Sequence, residues 1–133
     1  GNDYTTAMEG SLKLKEIAYI HSEAYPAGEL KHGPIALIED GTSVMGIVTN
    51  KKILEKTISN LQEVITRGAK VILITDCNCE NKDMNIINIP NTNYLLMPML
   101  AIVPLQLIAY YIAKEKNLDV DKPRNLAKSV TVE

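Results

Sequence analysis

Glu9, Lys13 and Glu16 recur at four- and three-residue spacing within residues 6–20, a proline-free stretch whose apolar residues follow helical periodicity. At 100° per residue they fall within about 60° of one another on a helix surface and form one stripe. Leu12, Tyr19 and Met8 flank it on one side, Ile17, Leu14 and Ala18 on the other, while Ser11 and Lys15 make a second polar face. Two polar faces divided by apolar flanks predict one face in water and the other in a cleft. Two chemistries fit the stripe. It can be a set of ordinary i,i+4 and i,i+3 surface pairs, worth roughly a few tenths of a kcal/mol each. It can also be a carboxylate held beside an ammonium in a partly dry pocket, which is what proton transfer from a carbon acid asks of its base.

Other reactive side chains are sparse. His32 lies in Leu30-Lys31-His32-Gly33-Pro34, where Gly-Pro forces a turn that exposes the imidazole; taken alone it reads as a surface residue. Cys77 and Cys79 have no second cysteine pair, and His21 and His32 lack the paired spacing of zinc ligands. The cysteines therefore read as reduced thiols in a loop of a cytosolic protein. Neither glycine-rich phosphate-loop pattern occurs. Thr49-Asn50, ahead of a helix, is the one anion niche, and it reads as a plain cap.

The elements that must position these groups follow from periodicity. Thr5 or Thr6 caps the first helix, with Glu9 three residues after Thr6 as in a capping box. Residues 21–27 are extended, with Pro26 biasing Tyr25 away from helix. Residues 28–38 are briefly helical, interrupted at Gly33-Pro34, and residues 43–48 form a strand. A helix follows over 51–67 and ends at Gly68. Residues 71–75 and 86–89 are further strands, and 98–116 an apolar helix kinked at Pro104. Residues 117–133 form a polar tail, which from Asp119 to Lys128 has the composition of a frayed terminus. Continuous apolar strands separated by a helix predict parallel βαβ units, hence an α/β fold: a three-layer αβα sandwich with a mainly parallel sheet and an irregular C-terminal tail.

Composition bounds the function. The chain has 133 residues, 46% hydrophobic and 23% charged, the profile of one soluble globular domain. A chain of that length buries roughly two-thirds of its unfolded surface, so it needs no disulfide or metal to fold. The net charge is -2, and no basic cluster is longer than Lys51-Lys52, which argues against nucleic acid or an anionic membrane as partner. Residues 1–4 lack the basic and apolar regions of a signal peptide. Residues 94–113 have Gln106 as their only strongly polar member, but Pro98 and Pro104 interrupt them. A central helix buried in a core or subunit interface is preferred to a membrane span, and solubility without detergent would decide.

Four motifs then carry a resemblance: Met8-Glu9-Gly10-Ser11-Leu12-Lys13-Leu14-Lys15-Glu16, Ala27-Gly28-Glu29-Leu30-Lys31-His32-Gly33-Pro34, Val103-Pro104-Leu105-Gln106-Leu107, and the closing Pro123-Arg124-Asn125-Leu126-Ala127-Lys128-Ser129-Val130-Thr131-Val132-Glu133. Together they resemble the glucosamine-6-phosphate synthase family, which aminates and isomerises fructose 6-phosphate with ammonia from glutamine. The resemblance is to its C-terminal sugar isomerase (SIS) module, residues 1–116 here, plus the tail 117–133 that covers the active site.

The resemblance implies a five-stranded parallel sheet and assigns roles. Lys128 forms a Schiff base with C2 of fructose 6-phosphate, Glu16 moves the proton between C1 and C2, and Lys13 assists it. His32 opens the sugar ring, reaching the site from the neighbouring subunit of a homodimer. Glu9 is a sugar-site carboxylate, and Arg124 and Ala127 belong to the tail that encloses the site and the ammonia channel. The implied partners are a glutaminase domain and a first SIS module of the same longer chain, which supplies the phosphate-binding loop missing here. No metal or organic cofactor is implied, the location is cytoplasmic, and the 133-residue chain alone is expected to be inactive. Lys122, where glutamine is commoner, and Tyr110-Tyr111, where Tyr-His is commoner, depart from the family pattern without touching an assigned role. The rival expectation is a SIS module that binds a sugar phosphate without turning it over, for which a Schiff-base lysine in the tail has no use.

Overall fold

The computed structural model describes residues 1–125. Helix α1 spans Asn2–Ala18, and two 3₁₀ turns follow at Ala27–His32 and Pro34–Leu37. Strand β1 is Ser43–Val48; a 3₁₀ turn at Lys51–Ile53 leads into α2, Leu54–Ile65. Strands β2, Lys70–Thr75, and β3, Met84–Asn88, precede α3, Met97–Glu115. The strands lie parallel in the order β1-β2-β3, with Ser43 opposite Lys70 and Val71 opposite Met84.

Side-chain alternation along the strands builds three layers. Val48, Val71, Leu73 and Met84 pack on Leu61 and Val64 of α2, with Leu30, Ile35 and Ile38 of the 3₁₀ segment against the same cluster. The intervening positions Met45, Ile47, Ile74 and Ile87 face Met97, Ala101 and Leu105 of α3. A third cluster, Leu14, Ala18, Ala109 and Ala113, joins α1 to α3. The predicted αβα sandwich is present. The described residues contribute three strands where the resemblance implies five: residues 1–42 form only helix, 3₁₀ turns and loop, so no further strand can come from them.

Helices α1 and α3 run parallel to each other. Asn2 Nδ2 donates to the Tyr94 carbonyl at 3.3 Å, a Cβ on Gly10 would stand 2.6 Å from Leu105 Cδ1, and Lys116 Nζ donates to the Ala18 carbonyl at 2.6 Å. Asp3 fixes the start of α1 at the end of β1, accepting from the Thr49 amide at 3.1 Å and its hydroxyl at 2.5 Å.

Several local expectations are corrected. Helix α1 begins at Asn2 rather than at Thr6 and has no side-chain cap; Thr6 instead bonds back to the Asn2 carbonyl at 2.9 Å, one turn earlier. Ser11 is buried, not solvated: its hydroxyl donates to the Ser22 carbonyl at 2.8 Å, and Ser22 Oγ donates to the Ser11 carbonyl at 3.1 Å. Asn50 alone caps the next helical segment, its side chain accepting from the Lys52 amide at 3.0 Å, because Thr49 is engaged by Asp3. The first part of the tail is not frayed. The Leu118 amide donates to the Ala113 carbonyl at 2.9 Å, and Leu118 and Val120 pack on the α1/α3 cluster.

By length and composition α3 is apolar enough to cross a bilayer, but its Met97, Ala101, Leu105, Ala109 and Ala113 edge is buried against the sheet and α1. It continues through Pro104, which leaves the Leu100 carbonyl without its helical donor.

The turn between α2 and β2 depends on Gly68, whose φ of 95° belongs to the left-handed region and whose added Cβ would lie 2.7 Å from Asp40 Cα. Gly68→Ala should therefore lower stability by about 2 kcal/mol or more, since left-handed strain and a backbone clash add. Urea unfolding of the 133-residue chain measures this, and an unchanged midpoint would show that the Asp40 loop yields freely.

Candidate functional site

Burial of Leu14 and Ala18 fixes the rotation of α1 and so the direction of the Glu9/Lys13/Glu16 stripe. Lys13 Nζ lies 2.7 Å from Glu16 Oε2 and 3.4 Å from Glu9 Oε1. The Lys13 and Glu16 side chains are 29% and 28% exposed, against 47% for Glu9. The ammonium thus belongs mainly to Glu16, at the half-buried end of the stripe. The hydrogen bond to Glu16 holds Lys13 above the ordinary lysine value, against the lowering effect of partial burial.

Glu16 lines an open cleft of about 430 Å³ with Lys15, Tyr19, His21, Arg124 and Asn125. Its wall is the C-terminus of α1 and the tail. Tyr19 ends the helix in the left-handed conformation, φ 54° and ψ 39°, with its amide bonded to the Leu14 carbonyl. A glycine adopts that conformation freely, whereas for a tyrosine it costs about 1–2 kcal/mol. The Lys116 ammonium on the Ala18 carbonyl offsets the negative helix end. The tail then reaches Tyr19 itself: the Arg124 amide donates to Tyr19 Oη at 2.8 Å, and the guanidinium lies 4.1 Å from the ring centroid.

The remaining site candidates separate. His32 is 72% exposed, its Nδ1 3.9 Å from Glu29 Oε2, on a 3₁₀ turn held to α2 by Leu30 and by a Lys31–Glu63 ion pair at 2.6 Å. It therefore stands on the α2 side of the sheet, outside the cleft that Glu16 lines. Lys128 and Ala127 lie outside the described residues. Tyr19 and Lys15 were not singled out by the sequence reading as cleft residues. A glycine at position 19 would have marked the left-handed turn, but a tyrosine carries no such signal.

A second cleft of about 350 Å³ lies beyond the C-terminal ends of the strands, lined in part by Asn50, Lys51, Lys52, Asp76, Asn91 and Tyr94. Much of its polarity is already engaged: Asp76 accepts from Asn91 Nδ2 at 2.5 Å, and Asn50 caps the helical segment. Both cysteines are free, and burial pushes the Cys77 thiol up, away from reactivity. Among the described residues no three His, Cys, Asp or Glu side chains gather as a metal site requires.

A parallel sheet between helical layers, with an ionisable cleft at a helix end lined by the first residues of the tail, fits one class of domain. The SIS domain family model matches residues 1–115, and the chain belongs to that family. More particularly, it matches the module found in glutamine–fructose-6-phosphate aminotransferases [isomerizing]. It is 60% identical to that of Clostridium tetani over all of this chain and 22% of the relative, and 52% identical to that of Pseudomonas putida over the same shares. Among solved structures, the C-terminal domain of glucosamine-fructose-6-phosphate aminotransferase from Francisella tularensis superposes with a TM-score of 0.82 at 43% identity, over 90% of this chain and 34% of that one. Glucosamine-6-phosphate deaminase from Thermotoga maritima follows the same fold with a TM-score of 0.77 at 29% identity, over 96% and 37%. The chain thus spans about a fifth of the length of the relatives it matches.

A lysine whose folded pKa is raised adds stability that is fully present below its ordinary value of 10.5 and is lost as pH rises through the folded value. Glu16→Gln should lower the Lys13 titration midpoint, followed by NMR of the labelled ammonium. A midpoint that does not move would make Glu9 the dominant partner.

Proposed function

We propose that the chain is the isomerase half-site of a glutamine–fructose-6-phosphate aminotransferase, acting within a longer cytoplasmic protein that also carries a glutaminase domain and a first SIS module. The observation that carries this reading is the Lys13–Glu16 pair, whose Glu16 lines a cleft bordered by the start of the tail that leads to Lys128, in a chain 60% identical to such an enzyme.

The proposed chemistry uses this chain's own groups. The neutral Lys128 amine adds to C2 of open-chain fructose 6-phosphate, and water leaves to give an imine. Ammonia adds to C2 and the lysine amine departs, leaving a C2 imine of the sugar. Glu16 takes a proton from C1 and a proton is returned to C2, while the C1 hydroxyl proton passes to the imine nitrogen, so that C1 becomes the aldehyde and C2 carries the amine. Lys13 keeps the Glu16 carboxylate oriented toward the cleft, with Glu9 as its second partner. Arg124 and Ala127 enclose the sugar. His32 acts on the ring of a sugar bound to the neighbouring subunit of a homodimer; its exposure on the far side of the sheet supports this over a role in its own cleft.

The outer face of α3 supports a partner module. Leu95, Leu96, Met99, Val103, Leu107 and Tyr111 are exposed, more large apolar side chains than a lone domain leaves together in water. The first SIS module of the same chain is the proposed cover, and it also supplies the phosphate-binding loop.

In the full-length protein, borohydride should trap fructose 6-phosphate on Lys128, with the adduct located by mass spectrometry. Label on Lys13 or Lys15 would reassign the nucleophile, and no label would favour a binding module without turnover. Glu16→Gln should lower amino-sugar formation by about 10²-fold or more, the scale of a lost general base. Coexpressed His32→Ala and Glu16→Gln chains should regain part of the activity, because one mixed site keeps both groups; no recovery would return His32 to its own subunit. The 133-residue chain alone should not turn over the sugar.

A further inference from the structure

We infer that Tyr19 is a positioning residue that fastens the C-terminal tail to the end of α1 and so brings the lysine of that tail to the base on the helix. The inference rests on the roles proposed above for Lys128 and Glu16.

Two independent observations meet at this residue. Tyr19 holds a left-handed backbone, φ 54° and ψ 39°, where a glycine would end the helix without strain. Such strain persists only where surrounding structure over-determines it, and it clusters at functional positions. Tyr19 also contacts the tail twice, through Oη to the Arg124 amide at 2.8 Å and through its ring to the guanidinium at 4.1 Å. Among the described residues no carboxylate pairs with Arg124, and its guanidinium rests on the Tyr19 ring. The left-handed turn carries the Tyr19 ring off the path α1 would have followed and into the cleft wall.

Sequence distance gives the clamp its consequence. Tyr19 is three residues from Glu16, and Arg124 is four residues from Lys128. Four residues span at most about 14 Å. Fixing Arg124 on Tyr19 thus sets an upper bound on the distance between the tail lysine and the base, a bound that an untethered tail would lack. Position alone can change a reaction rate by orders of magnitude.

The test uses the full-length enzyme with Tyr19→Gly, which suits the left-handed turn, and Tyr19→Phe, which keeps the ring. Tyr19→Gly should keep or raise the thermal midpoint, yet slow single-turnover borohydride trapping of fructose 6-phosphate on Lys128 by about tenfold or more. Tyr19→Phe should slow it less, and should speed hydrogen exchange at the Arg124 amide by about tenfold as its acceptor is lost. Wild-type trapping rates in Tyr19→Gly, or unchanged Arg124 exchange in Tyr19→Phe, would overturn the clamp. Failure of the wild-type enzyme to trap on Lys128 would instead remove the proposed chemistry, and with it the positioning role, while the exchange result would still decide whether the tether exists.

Discussion

Gly10 lets α1 approach α3 so closely that any added Cβ would crowd Leu105, and farther along Ala18 meets Ala109 and Ala113. This close seating of one helix on another fixes the site. A helix so held cannot roll, and because its carboxylates sit at fixed angles to Leu14 and Ala18, packing on the inner face sets direction on the outer one. The parallel course of α1 and α3 brings two helix C-termini to one place. Lys116 answers the accumulated negative end by capping Ala18, and Leu118 and Val120 continue the contact into the tail. The cleft is therefore a by-product of helix packing, bordered by a segment that starts within the same apolar cluster.

Charge is arranged on this frame with little burial. Lys13 between Glu9 and Glu16 is a partly exposed cluster, so its contribution to stability is small by the usual measure of surface pairs. Its value lies in geometry. A 2.7 Å ammonium contact restricts the Glu16 carboxylate, and the cleft beside it carries Lys15, His21 and Arg124 on its walls. Lys15 and Arg124 set two cations beside the Glu16 carboxylate, and Lys116 satisfies the Ala18 carbonyl at the nearby helix end.

Much of this was legible in the chain because it depends on short-range rules. The β-branched run at Ser43–Val48, the glycine at 68 and the apolar helix near Pro98 each announce an element, and the structure places them within a few residues. The spacing of Glu9, Lys13 and Glu16 foretold their contacts, since i,i+3 and i,i+4 neighbours meet on any helix. What escaped the sequence was decided by tertiary partners. Asp3 recruits Thr49 and so starts α1 earlier than a threonine cap predicts. Ser11 looks solvated until Ser22 folds over it. The ordered start of the tail depends on Leu118 and Val120 finding a cluster distant in sequence, and the clamp on a tyrosine in a glycine's conformation, neither of which composition records.

The placement of the cleft also bears on what the module needs from outside. The Asp3–Thr49 contact sets the start of α1 beyond the C-terminal ends of the strands. Seventeen residues carry the helix about 25 Å back along the sheet, so Glu16 and Tyr19 stand at the opposite edge. Open parallel sheets ordinarily take ligands beyond the strand C-termini, where backbone donors and helix N-termini favour anions. Here that end has a cleft, but Thr49 is engaged by Asp3, Asn50 by its cap and Asp76 by Asn91. Glu16 and Tyr19 instead occupy the end where helix C-termini gather, which by itself disfavours a phosphate. Cations on the cleft wall compensate in part, yet they lie on flexible side chains and offer no fixed array of backbone amides. Under the function proposed above, a sugar phosphate at Glu16 calls for donors from another module, and the exposed apolar face of α3 offers a surface for one.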